Sequence, residues 1–147
     1  MKTKCQSCRE EQVPDIQLQA QTYLNHLQAL PNVSEGELKI GLDLLRKLRD
    51  LPAESQEETT QLDIQQGKIL NALKRGFSNE YLWENWAINN LNFIGERKLR
   101  NLLILGDRTY LHKYAKLGTK GLLELADRTR YAGPEAIENY LSRNLEF

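Results

Sequence analysis

Residues 34–52 read SEGELKIGLDLLRKLRDLP, and this stretch decides the class of fold. Ser34-Glu35-Gly36-Glu37 is the pattern of a capping box: the Ser hydroxyl accepts from the third-residue amide, and the Glu reaches back. Leu38, Leu42, Leu45 and Leu48 then recur at helical spacing on one face, while Arg46, Lys47 and Arg49 point elsewhere. Pro52 marks the exit. A cap, an apolar stripe and a stop within one short segment specify an amphipathic helix.

The same grammar extends in both directions. Upstream, Pro14 at a first-turn position opens a segment with Ile16, Ala20, Tyr23, Leu24 and Leu27, stopped by Pro31-Asn32. Residues 1–14 read as a flexible N-terminus. Downstream, the polar run from Glu54 to Gln61 slides into a helix carrying Leu62, Gln66, Ile69, Leu70 and Leu73, with Gly76 as its breaker. Ser78 or Asn79 caps a helix with Leu82, Trp83, Trp86, Ala87 and Leu91. After Gly95 come Leu99, Leu102, Leu103 and Leu105, then a turn at Gly106-Asp107-Arg108-Thr109. Leu111, Tyr114, Ala115 and Leu117 lead to the turn Gly118-Thr119 and a helix with Leu122, Leu123 and Leu125. Gly133-Pro134 introduces a last helix with Ile137, Tyr140 and Leu141. Alternating β-branched runs are missing, so the expectation is an all-α protein of roughly seven or eight short helices. It divides into a helical module over 15–76 and a compact domain over 77–147.

Composition bounds the function. The chain has 147 residues, with 20 basic and 20 acidic side chains and no formal net charge. That excludes a histone-like polycation and an acidic tail, so charge for a partner must be local. No run approaches the ~18 apolar residues of a membrane span. Met1 to Cys8 holds no apolar stretch of the signal-peptide kind. Two cysteines build no disulfide framework, which points to a reducing cytoplasm. Neither a membrane partner nor a cofactor is expected.

Residues from about 85 to 126 resemble the C-terminal domain of the bacterial RNA polymerase α subunit, a compact helical fold ending in a helix-hairpin-helix. The resemblance is carried by Asn89-Asn90-Leu91, Gly95, Asn101-Leu102-Leu103, Leu111-His112-Lys113, and Leu117-Gly118-Thr119-Lys120-Gly121-Leu122-Leu123-Glu124-Leu125. It implies that Gly118, Lys120 and Asn89 touch the DNA backbone and minor groove, with Glu124 serving structure or a partner contact. Trp86 stands where that family has its principal minor-groove Arg.

The residues support a hairpin contact independently. A Leu-Gly-Thr turn at a helix start leaves backbone N–H groups unsatisfied where the helix dipole favours an anion. Glycine lets a phosphate approach closely, and Lys116 and Lys120 flank the turn. From Gly95 to Tyr131 there are nine basic and four acidic residues, an excess of five in a chain otherwise balanced. The candidate nucleic-acid-binding set is therefore Asn89, Lys113, Lys116, Gly118, Thr119 and Lys120. Tyr131 to Ile137 offers a second, weaker turn of the same kind, where Pro134 removes a donor and Glu135 adds negative charge.

Other motifs point away from chemistry. Cys5-x-x-Cys8 is half a zinc site, and a structural site wants four ligands; a zinc shared across a dimer is one reading, and an exposed metal-free pair on a flexible terminus is the favoured one. Trp83 and Trp86 read as core or interface rather than as base-stacking residues. No nucleophile–base set, phosphate loop or dinucleotide fingerprint is present, so an enzyme is not expected. Two functions follow: a DNA-binding accessory or regulatory protein gripping the duplex backbone, or a helical protein–protein adaptor of phage or mobile-element type that binds a polymerase or defence complex without DNA.

Overall fold

The computed structural model describes residues 2–130 together with Ile137 and Asn139, with side chains described from Asp15 onward. The chain is all-α, as its leucine spacing implied. It runs α1 (Lys2–Ala29), α2 (Glu35–Asp50), α3 (Gln56–Arg75), α4 (Glu80–Asn90), α5 (Glu96–Asp107), a 3₁₀ segment (Thr109–Leu117) and α6 (Gly118–Arg128). No strand occurs among the described residues.

Three helices start where a side chain accepts from an otherwise unpaired amide. Ser34 Oγ accepts from the Glu37 amide at 3.3 Å, Ser55 Oγ from Glu58 at 3.0 Å, and Asn79 Oδ1 from Leu82 at 2.9 Å. Each such cap contributes about 1 kcal/mol. The start of α1 differs from expectation. The helix begins at Lys2, so Pro14 lies inside it and cannot donate to the carbonyl one turn earlier. Gly76 does end α3 as expected, but with a right-handed φ of −74° rather than a left-handed one. A Cβ there would stand 2.7 Å from Val33, so glycine serves the close passage of the α1–α2 connection.

The fold is organised around α3, which is buried on most of its circumference. Thr60, Leu62, Asp63, Ile64, Gln66, Gly67, Ile69, Leu70, Ala72 and Leu73 are all covered, by α1, α2, α5, α6 and the 3₁₀ segment. Ile69, Leu70 and Leu73 are fully buried, and truncating any of them to Ala costs about 2–5 kcal/mol. Trp83, Ala87, Leu91 and Leu102 join the same apolar cluster as the buried leucines of α1 and α2. A second cluster holds Ile64, Leu105, Leu111, Ala115, Leu122, Leu125, Ala126 and Ile137. The core therefore divides along α3 and α5, not at residue 76. Described residues on both sides of position 76 share it.

The closest approach in the core is backbone on backbone. At the crossing of α3 and α5, a Cβ on Gly67 would lie 2.0 Å from the Leu102 carbonyl oxygen, and one on Gly106 would lie 2.1 Å from the Gly67 carbonyl carbon. Gly106 is thus inside α5 and buried, rather than in the turn the sequence suggested. Asn71 locks the crossing by donating from Nδ2 to the carbonyls of Gly67 (2.9 Å) and Leu103 (2.8 Å). On the far side of α3, Tyr23 of α1 donates its hydroxyl to the Glu37 carbonyl. Burial, and then the Glu37 charge, raises the Tyr23 pKa.

The tryptophans are structural. Trp83 is 3% exposed and stacks on Trp86 at 5.8 Å, with Phe77 edge-on to it at 5.7 Å. The last expected helix and the turn at Gly133-Pro134 lie outside the described residues, save that Ile137 and Asn139 are helical and Ile137 is buried. Cys5 and Cys8 likewise fall outside the described side chains.

Candidate nucleic-acid interface

The turn from the 3₁₀ segment into α6 is made by Gly118, whose φ of 84° and ψ of 164° belong to a region that side chains strongly disfavour. This conformation swings the chain so that α6 starts against α3. The consequence is burial: Gly118 is covered, and a Cβ added to it would stand 2.2 Å from Gln56 Nε2. The next residue is tied down as well. Thr119 donates its hydroxyl to Asp63 Oδ2 at 2.7 Å, and Lys98 of α5 reaches the same oxygen at 3.2 Å. Asp63 is 7% exposed, so these two donors meet the hydrogen-bonding and charge demands of a carboxylate inside the fold.

A groove of about 650 Å³ runs past this turn, lined among others by Gln56, Asp63, Lys98, Thr119, Lys120 and Glu124. Of the six sequence candidates it brings together Gly118, Thr119 and Lys120. Asn89, Lys113 and Lys116 do not line it. Asn89 is exposed on α4 and donates to the Asn85 carbonyl at 2.9 Å. Lys113 is exposed, its ammonium 5.2 Å from the Tyr114 ring centre, and Lys116 is exposed near the end of the 3₁₀ segment. Sequence reasoning missed Gln56, Asp63 and Lys98. A usable signal existed for one of them: Asp63 is an acid set directly between the apolar Leu62 and Ile64.

The charges sort themselves by pairing. Asp107 is met by Arg108 at 3.9 Å, Glu124 by Arg128 at 4.0 Å, and Asp127 by Arg130 at 3.9 Å. Lys98 is taken by Asp63. Arg97, Arg100, Lys113, Lys116 and Lys120 are all exposed, and none has an acidic partner among the described residues. At the neighbouring turn, Arg46 and Arg49 of α2 bring their guanidinium carbons to 4.9 and 5.0 Å from the Phe93 ring centre. Arg49 also donates to the Phe93 carbonyl at 3.3 Å.

His112 is used for structure. Its Nε2–H donates to the Leu105 carbonyl at 2.7 Å, tying the 3₁₀ segment to α5. Burial lowers its pKa, against the raising effect of that hydrogen bond, and Lys68 lowers it further. No group of three or more His, Cys, Asp or Glu side chains suited to a metal ion occurs among the described residues. No helix among them is long and apolar enough to cross a membrane. No family model, curated protein or solved structure matches this chain.

Proposed function

We propose that this chain is a non-enzymatic DNA-binding protein that grips the duplex backbone with side-chain cations. The observation that carries the reading is the surplus left after pairing: Arg97, Arg100, Lys113, Lys116 and Lys120, on three consecutive elements, have no acidic partner among the described residues. Exposed cations of this kind displace condensed counterions from phosphates, which supplies affinity without reading bases. The contact proposed is narrower than the resemblance to the polymerase α-subunit domain implied. With Gln56 over Gly118 and Thr119 bonded to Asp63, the turn serves to aim Lys120, and phosphates meet ammonium and guanidinium groups. The test is anisotropy of a labelled duplex titrated with salt. Binding should weaken steeply, by about 0.9 log unit per log unit of salt for each phosphate neutralised. Absence of low-salt binding by folded, monodisperse protein overturns the proposal.

One observation favours a second reading, the helical adaptor. Tyr81 and Ile88 on α4 are 74% and 73% exposed, and Leu82 is 44% exposed, while the same helix buries Trp83 and Ala87. Apolar side chains on both faces of one short helix fit a protein partner. Tyr81→Ser with Ile88→Ser separates the two: it leaves duplex affinity unchanged if DNA is the partner, and abolishes capture of a polymerase or defence complex if a protein is.

A further inference from the structure

We propose that the cleft between α1, α3 and the C-terminal end of α5 is a binding site for a small phosphate ester. This inference does not rest on the DNA reading and shares none of its five cations. The cleft has a volume of about 570 Å³, within the range that holds small molecules. Its chemistry comes from one stretch of α3, where Lys68, Lys74 and Arg75 all line it. Asp107 is the single acid among the described residues of its wall, and Arg108 already lies 3.9 Å from it. With Asp107 met by Arg108 and Lys74 by Glu80, Lys68 and Arg75 are left without an acidic partner among the described residues, an excess of two that a phosphate monoester dianion balances.

Lys68 is the key residue. The α3–α5 crossing brings the Gly106 backbone against that of Gly67 and Lys68, which sets Lys68 at the foot of the cleft, half-buried. Its ammonium makes no hydrogen bond or ion pair to a described residue. Lys74, by contrast, pairs with Glu80 at 3.4 Å. A partly desolvated cation without a counter-charge carries an electrostatic cost that a bound anion removes. Gln21 and Gln28 from α1 and Thr109 beyond α5 line the remaining wall. They present neutral hydrogen-bonding groups to the body of the ester, and Leu24 gives an apolar floor. The arrangement sets a cationic wall from α3, which suits the phosphate, against a neutral polar wall from α1, which suits what the phosphate is attached to.

The test is calorimetric titration of the full chain with inorganic pyrophosphate and with AMP, at fixed ionic strength and with chloride as control. Saturable binding of at least one is expected, weakened about tenfold by Lys68→Met, the size of one lost charge-assisted contact. Arg75→Gln, at an exposed position on the rim, should weaken it several-fold and keeps the test decisive if Lys68→Met fails to fold. Lys120→Ala should leave it unchanged, which distinguishes this site from the duplex contact. A response no larger than that of chloride overturns the proposal, as does pyrophosphate and AMP affinity indifferent to both variants. If Lys68→Met weakens duplex binding while neither small anion saturates, the cleft belongs to a nucleic-acid surface and the small-ligand assignment fails.

Discussion

Gly95 and Gly118 invite comparison because their backbones are nearly the same. Their φ angles are 83° and 84°, and each opens a helix that has no side-chain cap. Around Gly95 nothing stands within 4 Å of where a Cβ would be, whereas at Gly118 the Gln56 side chain fills that space. The first glycine is required only for its dihedral angles. The second is required for its angles and for room. An open glycine turn lets a ligand reach the backbone, and a filled one lets two elements of the protein reach each other. The Leu-Gly-Thr-Lys motif, which as sequence looks like a phosphate cradle, is the filled one.

The largest way to test this contrast is Gly118→Val. A branched side chain at that φ, pressed on Gln56, should cost about 3 kcal/mol or more. It should read as a lowered urea midpoint at unchanged slope. Gly118→Ala and Gly95→Ala come next. Both pay for the dihedral, about 1–3 kcal/mol, but Gly118→Ala should cost more. Repeating the pair in a Gln56→Ala background should bring the two costs to within about 0.5 kcal/mol. A gap that survives the removal of Gln56 breaks the comparison. A smaller effect sharpens it: Thr119→Val leaves Asp63 with Lys98 alone and should lower stability by about 1–2 kcal/mol. No loss there would mean that the Thr119–Asp63 bond does not fasten α6 to α3.

What the sequence made legible was local. The Ser34 half of the expected capping box, the buried stripe of Leu45 and Leu48, and the Asn79 cap each depend on residues within a turn or two, and all are present, while the Glu37 carboxylate turns to His26 of α1 instead of reaching back. Illegible features depend on a distant partner. Gly106 reads as a turn residue because nothing near it reveals Gly67, against which it packs. Gly118 reads as open because Gln56 is far away in sequence. Gly67 attracted no notice, being one glycine in a polar helix, yet α3 and α5 could not cross so closely without it. That the core crosses residue 76 was hidden for a related reason. The Gly76-Phe77-Ser78-Asn79 junction marks a change of chain direction, whereas Trp83, Leu91 and Leu102 join the apolar cluster of the first three helices.

The claim that side-chain cations, rather than the amides of the Gly118 turn, would meet the duplex is tested most directly by one paired measurement. It is the salt dependence of duplex binding for Lys120→Ala beside Gly118→Ala, each confirmed folded. Lys120→Ala should lower the salt slope by about one unit and weaken binding equally on all sequences. Gly118→Ala should bind as the wild type does. Binding lost in Gly118→Ala and unchanged in Lys120→Ala would contradict the account.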